Sequence, residues 1–70
     1  MEIDVTSPEG NTLAALGIAT RMMRKAGASS QVITALRMSV MGAPNPHAAR
    51  RAITRATNGA ITFVDPREED

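Results

Sequence analysis

The chain has 70 residues, enough for one domain, and a domain of that size buries only about 60% of the surface its unfolded form exposes. Twelve of its apolar residues are Ala, leaving three Leu, five Ile, four Val, five Met and Phe63 for a core, and with no Cys it can form no disulfide, thiolate metal site or cysteine nucleophile. The net charge of +1 conceals a separation: Arg21, Arg24, Lys25, Arg37, Arg50, Arg51 and Arg55 fall between residues 11 and 64, where there is no acid, and all seven Asp and Glu lie towards the two ends.

Residues 1–6 alternate apolar and polar, which predicts a strand with one face on a core. Ser7-Pro8-Glu9-Gly10-Asn11 follows as a turn, with either Ser7 or Asn11 as the cap of the first helix. From Leu13 to Ala26 the residues Ala15, Leu16, Ile18, Ala19, Met22, Met23 and Ala26 share one arc at 100° per residue, with Leu13 at its margin. Arg21, Arg24 and Lys25 fall opposite. Gly27 is a left-handed helix stop. Ser29 or Ser30 caps a second helix whose stripe of Val32, Ile33, Leu36 and Val40 turns inward, while Met38 and Met41 lie on its other side as the core's edge or as an adaptable contact surface. Pro44 and Pro46 break that helix; Asn45 caps a third, with Pro46 at its first position. Ala49, Ala52, Ile53 and Ala56 line one side of it, and Asn58-Gly59 leaves it through a positive-φ turn into a strand at 60–64.

This order predicts an α+β fold: a small β-α-α-α-β domain, residues 1–65, with three short helices packed on a two-stranded sheet formed by the terminal strands. Strand direction is left open. Residues 66–70 read as an acidic flexible tail. Two strands alone make a marginal sheet, so a homodimer through the strand edges or the second helix is also an expectation. No apolar run approaches the roughly 20 residues of a membrane span, and Met1-Glu2-Ile3-Asp4 lacks the pattern of a signal peptide, so a cytoplasmic protein with no membrane partner is expected.

Ile3-Asp4-Val5, the turn Ser7-Pro8-Glu9-Gly10-Asn11 and the run Leu13-Ala14-Ala15-Leu16-Gly17-Ile18-Ala19 resemble the start of a group of small proteins of phages and prophage-bearing bacteria. Members begin with a short strand, a G-P-x-G-N-type turn and a helix; here Ser7 stands where Gly is commoner. The resemblance covers about the first third of the chain. It implies a mobile-element context in a bacterial host and, with it, a phage accessory protein that blocks host defence, similar to an anti-CRISPR protein.

General acid-base chemistry needs titratable groups gathered in a cleft. Here the acids sit near the ends and His47 is the one histidine. Asp4 and Asp65 would meet only if the terminal strands pair, and they read as solvated strand ends. His47 alone makes a poor metal site, since zinc usually takes three or four protein ligands, and reads as a helix-opening polar residue. Ser7 to Asn11 lacks the G-x-x-x-x-G-K-[ST] pattern of a phosphate loop and reads as a turn and cap. The expectation is therefore no enzyme and no cofactor. Partner contacts are expected from Arg50, Arg51, Arg55 and His47 on the third helix, from Arg21, Arg24 and Lys25 as a second basic patch, and from Met38 and Met41. The expected partner is an acidic protein surface or nucleoprotein complex of the host. Two alternatives stay open: a helix-turn-helix-like DNA binder using His47, Arg51, Thr54, Arg55 and Asn58, and a protein that sequesters a small anionic nucleotide.

Overall fold

The computed structural model describes residues 1–67. It has β1 at Glu2–Asp4, a 3-10 turn at Pro8–Gly10, helices α1 at Thr12–Lys25, α2 at Ser30–Met41 and α3 at Pro46–Ala56, and β2 at Thr62–Val64. The terminal strands pair in parallel, with Glu2 opposite Thr62, Ile3 opposite Phe63 and Asp4 opposite Val64. A parallel pair needs a crossover to bring the chain back to the same end of the sheet, and the three helices supply it.

Both strands are shorter than their sequence pattern. The Thr6 N–H and hydroxyl both donate to Asp4 Oδ1, at 2.8 and 2.6 Å, and this local turn ends β1 two residues early. At the other strand the Thr57 hydroxyl accepts from the Ile61 N–H at 3.2 Å and donates to the Ile53 carbonyl at 2.9 Å. Ladder pairing therefore starts only at Thr62, whose N–H donates to the Met1 carbonyl at 2.9 Å. The Met1 amino group donates to the Ala60 carbonyl.

The caps follow local chemistry. Asn11 Oδ1 accepts from Leu13 N–H, Ser29 Oγ from Val32 N–H and Asn45 Oδ1 from Ala48 N–H, each meeting one of the helix's unpaired N-terminal donors. α1 closes with Gly27 at φ +86°: Gly27 N–H donates to Arg24 and Ala28 N–H to Met23, the Schellman arrangement. α3 closes the same way, with Asn58 at φ +54° and Gly59 at +82°.

One core holds these pieces together: Ile3, Ala15, Leu16, Ala19, Met23, Ile33, Leu36, Val40, Ala49, Ile53 and Ile61, with Phe63 packed against it. Two expectations about burial are corrected. Val32 is 50% exposed, because on a 3.6-residue turn it projects about 40° outside the Ile33, Leu36, Val40 stripe. Ala26 is exposed as the C-cap of α1 rather than part of its inner arc. Of the two readings of Met38 and Met41, exposure selects the outer surface over the core's edge, at 70% and 72% exposed. Pro66 and Arg67 form a turn in which Arg67 Nε and Asp65 Oδ1 pair at 3.0 Å; the rest of the expected acidic tail lies outside the described residues. No described helix is long and apolar enough to cross a membrane.

Candidate functional site

The third helix places its cations beside β2. Ala49 and Ile53 turn into the core, which leaves Arg50 and Thr54 half-buried on the flank facing β2 and His47, Arg51 and Arg55 exposed beyond them. All five line one groove of about 670 Å³, with Phe63 and Asp65 also in its lining. Arg50 also lines a neighbouring depression under the Ser7–Asn11 turn, so it stands at the junction of the two. Its Nε is buried and has no hydrogen-bond partner. An orphaned buried donor costs about 1–3 kcal/mol, more when charged.

No carboxylate among the described residues is ion-paired with a cation of this groove. Among the described residues the ion pair found is Arg67 with Asp65, and the seven cations between residues 11 and 64 form none. Asp65 feels the charge of Arg50 at a distance, but its carboxyl is held below the ordinary range mainly by the Arg67 side chain and then by the Arg67 N–H.

Strand pairing brings Asp4 within reach of Asp65, yet this does not make an acid-base pair. Asp65 acts to raise the Asp4 pKa, whereas the Thr6 hydroxyl and then the Thr6 N–H act more strongly to lower it, so Asp4 titrates below its ordinary 3.8. Both carboxyls are thus more acidic folded than unfolded. Their contribution is present above the unfolded pKa and is lost as pH falls through the folded one. Thermal melts should therefore show the midpoint falling between about pH 5 and pH 2, with a shallower fall in Asp4→Asn.

A second groove, of about 450 Å³, gathers Arg21, Arg24 and Met41 with Leu13, Gly17 and Arg37. Lys25 and Met38 lie outside both grooves. Sequence reading missed Phe63 and Asp65 as neighbours of the α3 cations, and Arg37 as the companion of Arg21 and Arg24. The parallel pairing that sets β2 beside α3 is a long-range feature with no local signal; Arg37 was detectable as one turn from Met41. No described group of three or more His, Asp or Glu could hold a metal ion. Ser7 to Asn11 forms a 3-10 turn followed by a capped helix start, as its residue types suggest. No protein-family model, curated protein or solved structure matches the chain.

Proposed function

We propose that the protein is a non-catalytic binding module of mobile-element type, which inhibits or modulates a host defence complex by seating an acidic surface of that complex in the α3–β2 groove. The observation that supports this is Arg50: its Nε is buried without a partner in a groove it shares with Arg51, Arg55 and His47. A guanidinium presents donors in a planar fork that matches a carboxylate. Turning the Arg50 side chain out to an incoming Asp or Glu would give the orphaned donor a partner through charge-assisted bonds. Phe63 offers the apolar contact that anchors such an interface.

Insertion of α3 into a DNA major groove fits less well. Asp65 lines the groove beside these cations, where its carboxylate opposes a phosphate. A small anionic nucleotide is the second reading, favoured by a groove volume within the range of small-molecule sites and by the aromatic ring in it.

Titration with an oligoglutamate peptide, a DNA duplex and a nucleotide panel, at about 50 and 200 mM salt, separates these readings. The peptide is expected to bind, and the Arg50→Glu, Arg51→Glu, Arg55→Glu triple variant to lose about a hundredfold or more in affinity, as truncating buried charge pairs does. A peptide that fails to bind at either salt overturns the proposal. Saturable binding of a nucleotide alone would favour the second reading.

A further inference from the structure

Gly17 has no role within the fold. It sits in the middle of α1 and is exposed, its φ is not positive, and a Cβ built on it meets nothing within 4 Å. A glycine inside a helix costs about 1 kcal/mol relative to alanine, and no turn, strain or internal packing offsets that here. What a bare Cα provides is room, because the distance at which two helices cross depends on the side chains at the crossing.

The surroundings of Gly17 define what could use that room. Leu13, at 59% exposed, and Met41, at 72%, are large apolar side chains in the same groove. Arg21, Arg24 and Arg37 line it too, and none is ion-paired among the described residues. Leu13, Gly17, Arg21 and Arg24 follow one another at spacings of four, four and three along α1 and so form a single ridge. From this we infer that the α1–α2 groove is a docking site for an acidic amphipathic helix of a partner protein. Its apolar side chains lie against Leu13 and Met41, its backbone crosses at Gly17, and its carboxylates meet Arg21, Arg24 and Arg37. This is the helix-in-groove mode of recognition.

A second copy of the chain is the poorer occupant, because a symmetric pairing sets these three arginines against their own counterparts. An anionic lipid surface would use the arginines but has no need of the space over Gly17. The site is distinct from the α3–β2 groove and stands or falls separately.

The test uses a fluorescently labelled designed peptide of about 18 residues, long enough to be helical, with Leu at positions i, i+3, i+4 and i+7 of each repeat and Glu on the flanks. In anisotropy titrations at about 0.15 M salt the wild-type protein is expected to bind this peptide and not its Glu→Lys counterpart. In the background of the Arg50, Arg51, Arg55 triple reversal, which removes the α3–β2 groove as a second seat for Glu side chains, Gly17→Gln, and separately Arg21→Glu with Arg24→Glu, should each weaken binding by about tenfold or more. Gly17→Ala should melt higher than wild type, and Gly17→Gln no lower, so that lost binding is not lost folding. The inference is overturned if the peptide does not bind, if Gly17→Gln in that background binds it as the triple reversal alone does, if sedimentation shows self-association that Gly17→Gln abolishes, or if phosphatidylserine vesicles bind in the peptide's place.

Discussion

Gly10→Ala is expected to unfold the protein or to lower its stability by about 3 kcal/mol or more, the upper end of what overpacking costs. A Cβ on Gly10 would lie 2.5 Å from Val5 Cα and 2.6 Å from both the Asp4 carbonyl oxygen and the Val5 carbonyl carbon. All three are backbone atoms, so no side chain can swing aside. Relief requires moving the end of β1 away from the 3-10 turn, and Val5 N–H donates to the Val64 carbonyl across the sheet at 2.9 Å. The strain would therefore reach strand pairing. Denaturant unfolding followed by far-UV circular dichroism checks this, and a variant that unfolds at the wild-type midpoint would contradict it.

Ile53→Ala is the second large effect. Ile53 is fully buried on α3, and Ile61, the residue before β2, is fully buried as well. Truncating a buried Ile to Ala costs about 2–5 kcal/mol, against a total stability of about 4–10 kcal/mol for a domain of this size. The melting temperature is expected to fall by about 10 °C or more, while Ile53→Val, which leaves a smaller cavity, should cost about 0.5–1.5 kcal/mol. Equal effects of the two changes would mean that the site collapses around the smaller side chain.

The elements were legible where their signals are local. Asn11, Ser29 and Asn45 cap the helices, Gly27 and Asn58-Gly59 leave them at positive φ, and the terminal segments form the two strands. Long-range features were not legible. Strand direction is set by how three helices return the chain, and Gly10 reads as a turn residue although the neighbouring backbone is what excludes a side chain there. Val32 belongs to the apolar pattern of α2 but falls just beyond the stripe its neighbours cover. The same division holds for the α3–β2 groove. The shared face of His47, Arg51 and Arg55 follows from helical spacing, whereas Phe63 and Asp65 join it only through the pairing of β2 with β1.

The cation distribution gives this division a functional side. Between residues 11 and 64 the chain carries seven cations and no acid, and folding divides six of them between two grooves without pairing any with a described carboxylate. Arg50 differs from the others in depth: they project towards water, whereas its Nε is enclosed. A ligand that reaches Arg50 must enter the groove, so this side chain distinguishes seated binding from loose attraction to surface charge.

The most direct test is the Nε–Hε resonance of Arg50, followed by 1H–15N NMR during titration with oligoglutamate. The Arg50 signal is expected to shift saturably, together with those of Arg51 and Arg55, and to do so at a salt concentration where the Arg67 signal stays in place. An Arg50 signal that does not move, or arginine signals that all drift together without saturating, would contradict a binding site between α3 and β2.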